Sequence, residues 1–261
     1  MFLFLLCVIF LVNHLQIHNL NLGEYIMPLP KIDQPLFDVT IPSSKKKILF
    51  RPFLVKEEKI LLISQQGEDT DVIRAIKQIL RLCVQDDGFD VDKLTTFDLE
   101  YLFLKLRAKS VNNIVKLSYR DNEDDKVYDF ELNLDSIEVE MPEGVDSTIK
   151  LSDTISMIMK YPSASITDKI KQFDNEVDLM TFFIINCIDT IVTDEEIYPA
   201  SEYTDKELEE FLDQLPVNSF EKIRAFFEQM PKLYHKIEYK NELGNDRSIE
   251  LTNLKDFFMW R

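Results

Sequence analysis

Glycine, proline, cysteine, histidine and positive charge are all scarce in this chain. Its 261 residues include 5 Gly and 10 Pro, too few for an all-β sandwich or a loop-rich enzyme, so helices joined by short turns and a few hairpins are expected. The 3 cysteines, Cys7, Cys83 and Cys187, stand far apart and form no Cys-x-x-Cys pair, which removes the usual zinc and dithiol spacings. Cys83 and Cys187 lie in apolar helical patterns and read as small buried hydrophobes in a reducing compartment. Of the 3 histidines, only His235 falls where a triad or dyad could be built, and it alternates with Leu233 and Ile237 as a structural strand residue would. No metal, cofactor or small-molecule substrate is expected. With 30 basic against 47 acidic residues the net charge is −17, which argues against phosphate-led binding of nucleic acid. The only basic run, Lys45-Lys46-Lys47, follows the turn signal Pro42-Ser43-Ser44 and reads as a solvated hairpin tip.

What is plentiful is apolar residue, 45% of the chain, enough for a substantial core. The first run of it, residues 2–11, has no positive n-region and no small-residue cleavage site. It is also shorter than the roughly 20 residues a membrane span needs. Gly23-Glu24 is encoded by GGN-GAR, which accommodates the ribosome-binding sequence GGAG two codons ahead of Met27. Residues 1–26 are therefore expected to be a non-native leader or an unstructured extension, with translation starting at Met27. An intact mass that includes them would overturn this. If they are native, residues 2–12 offer a surface-lying helix or a weak membrane tether.

The stretch at residues 96–109 organises the remainder. Phe97, Leu99, Tyr101, Leu102, Phe103, Leu104 and Leu106 cover most of a helical circumference, the pattern of a helix covered on several sides. Asp98 and Glu100 at its start and Lys105, Arg107 and Lys109 at its end complement the macrodipole, with Thr95 or Thr96 as N-cap. Ahead of it, Phe37, Val39 and Ile41 alternate with polar residues and Ile48 and Phe50 follow the turn, which predicts a β-hairpin. Helices are expected from Val55 to Ile63 and again from Asp69 to Cys83, giving a three-helix unit over residues 53–109. Beyond it Val115, Leu117 and Tyr119, then Tyr128, Phe130 and Leu132, alternate around the acidic tip Asp121 to Asp125. That is a second hairpin with one wet face. The tip lacks the ligand spacing and mid-loop glycine of an EF-hand and reads as a solvated turn.

Ile137, Val139 and Met141 predict one more strand, and Ile149 with Leu151 a short one. From Ser152 the chain is expected to return to helix: Ser152-Asp153 capping residues 155–160, Thr167 opening a short helix, and the apolar run 177–188 packing against the central helix. Thr204-Asp205-Lys206-Glu207 is a capping box, and Phe220, Ile223, Phe226, Phe227 and Met230 mark the inner face of the helix after it. A last hairpin spans residues 233–251, and residues 254–260 close as a short helix. The expected class is α+β: a mostly helical core with a central buried helix and two or three antiparallel β-hairpins. The expected division is 27–151 and 152–261, packed as one globule. The last hairpin also echoes the middle one: Lys116-Leu117-Ser118-Tyr119-Arg120 matches Lys236-Ile237-Glu238-Tyr239-Lys240.

Arg51-Pro52-Phe53-Leu54-Val55-Lys56-Glu57-Glu58-Lys59, the central stretch Phe97 to Ser110, Phe226-Phe227-Glu228-Gln229-Met230-Pro231-Lys232-Leu233 and Leu254-Lys255-Asp256-Phe257-Phe258 together resemble the baseplate hub protein family of T-even-type contractile-tailed bacteriophages. The resemblance spans residues 27–258. It implies a hub subunit or hub-assembly chaperone whose partners are other baseplate hub proteins, acting in the host cytoplasm or in the tail baseplate, and it implies no catalysis. Arg51, Phe53, Lys56 and Glu57 form a candidate contact region, because Arg and Phe are favoured interface anchors; their other reading is packing between hairpin and helix. Two rival classes stand beside this one. A hydrolase would use Asp194 with Glu195 or Glu196 as acid and base, although neighbouring carboxylates in a charged run do not converge on one point. A membrane-tethered assembly factor would depend wholly on residues 2–12.

Overall fold

Hairpin β1 (Phe37–Thr40) and β2 (Lys47–Phe50) leads into helices α1 (Val55–Ser64), α2 (Asp69–Cys83) and α3 (Thr96–Ser110). The computed structural model describes residues 32–173 and 175–257. The chain divides into Met1–Asp33 and Gln34–Arg261, and the helices, strands and cores of the described residues belong to the second unit. The readings of residues 1–26 as leader or tether lie outside the described residues.

Ten of the 15 residues of α3 are buried, as expected of a helix whose apolar residues encircle it. Two of those ten are charged, and both are anchored. Asp98 forms the reciprocal capping box with Thr95 and also takes the backbone N–H (3.0 Å) and hydroxyl of Ser43, so the helix start grips the β1–β2 turn. Lys105 donates to the carbonyls of Asp135 (2.7 Å) and Ile137 (2.6 Å) and to Glu138 (3.0 Å). It ties the loop after the second hairpin to the helix flank, so one of the cations expected to complement the helix macrodipole is held inside by specific partners. On another side Lys77 of α2, also buried, reaches Asp168 at 2.6 Å and Asp92 at 2.6 Å.

The second hairpin is β3 (Ile114–Arg120) with β4 (Val127–Asn133). The strand after them, β5 (Glu138–Glu140), turns away from this pair. It lies instead on β10 (Lys232–Lys240), which pairs on its other side with β11 (Asp246–Leu251). Helix α7 (Leu254–Phe257) follows, placing Leu254 and Phe257 in the core with α3. Residues 258–260 of the expected closing helix lie outside the described residues.

Between these lies a four-stranded antiparallel sheet in the order β6 (Thr148–Lys150), β7 (Ile155–Met159), β8 (Ile188–Thr193), β9 (Ile197–Pro199). Two expectations fall here. Residues 155–159 are a strand and not a helix: the Ser152 hydroxyl accepts from the N–H groups of Thr154 and Ile155, and the Ser152 N–H donates to the Ile155 carbonyl. A serine with the sequence signature of a helix cap thus closes a tight turn between β6 and β7, a competing use of the same side chain. The apolar run 177–188 is helix α4 (Glu176–Cys187) only as far as Cys187, where the chain passes directly into β8. Thr167 lies within a 3-10 segment, Ala164–Gln172. Helices α5 (Asp205–Asp213), opened by Thr204 as expected, and α6 (Val217–Glu228) complete the layer.

Two hydrophobic cores result. The first joins the β1–β2 hairpin, α2, α3 and the second hairpin with Leu233, Leu251, Leu254 and Phe257 from the chain's end. The second holds the four-stranded sheet, α4, α5 and α6. Packing therefore crosses the expected division at residue 151, and the buried residues Ile184, Ile185 and Cys187 of α4 belong to a different core from those of α3. The seam is polar and aromatic: Thr96 N–H donates to the Pro162 carbonyl, Ala164 N–H to the Leu94 carbonyl, and Tyr161 lies between Phe97 (5.4 Å) and Phe226 (5.8 Å). The α+β class with a central buried helix and antiparallel hairpins holds; the four-stranded sheet is the addition. Among the described residues no helix is long and apolar enough to cross a membrane.

Candidate protein interface

The four residues singled out as a contact region lie together where β2 passes into α1. Glu57 is fully buried; it accepts from the Arg51 guanidinium (2.8 Å) and from the N–H of Leu54 (2.8 Å), the latter closing the first turn of α1. Burial alone would raise its carboxyl, but the Arg51 and Leu54 hydrogen bonds and the charges of Arg51 and Lys56 outweigh that and hold it below the usual glutamate value. Arg51 also donates to the carbonyls of Pro52 and Leu82. Phe53 is buried in the first core. Only Lys56 faces water, 3.4 Å from Glu57. The structure brings the four together as an internal clamp between hairpin, α1 and α2, with Lys56 as its single outward-facing side chain.

Asp194 and Glu195 occupy the exposed turn between β8 and β9, where the N–H groups of Glu195 and Glu196 donate to the Thr193 hydroxyl. The acidic tip of the middle hairpin is only in part the solvated turn expected of it: Asn122, Glu123 and Asp125 are exposed, but the first residue is drawn inside. Asp121 is fully buried and accepts from the Tyr239 hydroxyl and from Arg247 (3.1 Å), while Glu123 accepts from Asn241 (2.6 Å) and Asn245 (2.7 Å). Tyr239 also packs on Tyr128 (4.9 Å) and Phe130 (5.3 Å). The two hairpins that echo one another in sequence are therefore locked tip to tip.

A predominantly apolar groove of about 420 Å³ runs between α4 and α6. Leu179, Met180 and Phe183 form one wall and Phe220, Phe227 and Met230 the other, with Glu176 and Arg224 among its few polar side chains. Met180 and Phe220 stand exposed, and Val177 and Val217 on the same two helices are 65% and 81% exposed. Exposed apolar residues grouped in this way, rather than scattered singly, mark an interaction surface. Phenylalanine and methionine supply large contact area and adaptable shape. Of the residues expected on the inner face, Ile223 and Phe226 are buried, Phe227 and Met230 are half-buried against the second core while also lining the groove, and Phe220 stands exposed. The available signal was excess: α4 and α6 carry more apolar residues than one helix face can bury.

No curated protein and no solved structure matches the chain. The sequence model of the family described as T4 bacteriophage base plate protein matches residues 34–259 of the 261, nearly the whole of the unit that holds both cores and the groove. This chain belongs to the T4 bacteriophage base plate protein family.

Proposed function

We propose that this protein is a baseplate hub subunit or a hub-assembly chaperone, acting in the host cytoplasm on other hub proteins through surface recognition and without catalysis. The observation that carries the reading is the Phe- and Met-lined groove between α4 and α6 on a member of a baseplate family. A groove of this composition suits a helix or loop presented by a partner in a growing assembly. The net charge of −17 supports it, since like charge suppresses self-association and favours chosen partners.

The test is complementation of a phage that lacks the gene with a Met180→Glu, Phe220→Glu double variant. Both side chains are exposed, so thermal stability is expected to stay within about 1 kcal/mol of wild type, while assembled hubs fall at least tenfold. Normal tails from phage lacking the protein altogether would overturn the reading. Co-purification with mature particles separates subunit from chaperone.

A further inference from the structure

A second apolar depression shares no wall residue with the groove between α4 and α6. It is a cleft of about 350 Å³ between the β8–β9 hairpin and α5, walled by Ile155, Ile191, Tyr198, Tyr203, Leu208 and Phe211. Residues 194–213, the segment that supplies Tyr198, Tyr203, Glu207, Leu208 and Phe211 to the cleft, carry nine acidic side chains against one basic, Lys206, in a chain whose net charge is −17. All nine acids are exposed. Lys206 is committed to Glu210 at 3.7 Å, and Glu207, which lines the cleft, caps α5 through Thr204.

This combination selects among occupants. An anionic ligand, a nucleic acid or an anionic lipid surface would meet like charge. A second copy would bring the same acidic rim against itself. A purely apolar segment would leave the carboxylates without partners, whereas flanking cations would meet them directly. Tyrosines at the mouth are among the residue types that most often anchor such contacts. Resting on the reading of this chain as a hub assembly protein, we propose that the cleft between β8–β9 and α5 docks a short segment of another baseplate protein, one large apolar side chain flanked by lysines or arginines.

The experiment probes an array of overlapping peptides from the phage's own structural proteins with the dye-labelled full chain. The expected result is that bound peptides carry an apolar residue flanked by at least two Lys or Arg, and that binding falls about tenfold between 50 mM and 300 mM salt. Tyr203→Ala and, separately, Glu195→Lys with Glu210→Lys should each weaken it about tenfold with melting temperature unchanged; these side chains are exposed. Absence of basic-apolar peptides among those bound, or binding indifferent to both variants, overturns the proposal. The two readings fail separately. If tails need the protein but the variants bind peptides as wild type does, this inference falls and the hub role stands; if tails form without the protein, the hub role falls.

Discussion

Glu57 and Glu100 show how a single carboxylate is turned to opposite uses by its surroundings. Glu57 is buried against Arg51 and the Leu54 N–H, so its charged form is the folded form. Glu57→Ala leaves the Arg51 guanidinium, itself only 15% exposed, without its carboxylate. The expected loss is about 3 kcal/mol, read as a lower denaturant midpoint. Glu100 sits on α3 beside Val72, Ile73, Ile76 and Leu254. Burial, with a smaller contribution from the Asp256 charge, pushes it up to about 7 against the opposing hydrogen bond from the Leu254 N–H. The folded state therefore holds this proton more tightly than the unfolded chain does. Its contribution is complete below about pH 4.5 and is lost as pH rises through about 7. Glu100→Gln keeps an acceptor for Leu254 and removes the titration. The variant should match wild type below about pH 4.5 and exceed it by up to about 3 kcal/mol at about pH 8, measured by urea unfolding across that range.

At the scale of elements, the β1–β2, β3–β4 and β10–β11 hairpins were legible and their partners were not. The β1–β2 and β3–β4 turns are built alike: Ile41 N–H donates to Lys46 and Lys45 N–H to Ile41, as Asp121 does to Lys126 and Asp125 to Asp121. Lys45 and Asp125 accordingly both adopt positive φ, a local consequence of turn length. The joining of the second hairpin to the last one, by contrast, depends on Asp121 finding Tyr239 and Arg247 more than a hundred residues later. The Tyr239 hydrogen bond holds the Asp121 carboxyl below the usual aspartate value, against the effect of burial and with help from the Glu123 N–H and Arg247. Stability from this contact is present above the unfolded aspartate range and is lost as pH falls through the depressed value. Asp121→Ala is expected to part the tips. Hydrogen exchange should speed up at residues 121–126 and 241–246 while the amides of α3 keep their protection. Unchanged exchange at both tips would show that the aromatic contacts of Tyr239 suffice alone.

For the molecule as a whole, the question is what makes two cores one cooperative unit. Tyr161 is the aromatic bridge, edge-on to Phe97 of α3 and stacked on Phe226 in the second core. Backbone hydrogen bonds from Thr96 and Ala164 pin the same short segment. Tyr161→Ala removes the ring and should cost about 3 kcal/mol. It should also separate a single calorimetric transition into two, the helix α3 core and the sheet core. A variant that melts in one transition with ordinary destabilisation would place the coupling in the backbone contacts alone.

By itself the sequence determined what depends on near neighbours: the three helices before residue 110, a threonine cap at 95 or 96, the Thr204 cap, the turns of the β1–β2, β3–β4 and β10–β11 hairpins and the encircled apolar pattern that makes α3 a buried helix. The family resemblance, too, was carried by segments readable in chain order. Tertiary structure alone decided where an apolar run changes from helix to strand at Cys187, because a strand's pairing energy comes from β7 and no turn residue marks the junction. It alone turned Arg51, Phe53 and Glu57 inward, since a charged side chain reveals its partner only once the carbonyls and carboxylates around it are in place. It alone left Phe220, Phe227 and Met230 lining an open groove. Periodicity says which residues share a face, but whether another element covers that face is fixed by contacts distant in sequence.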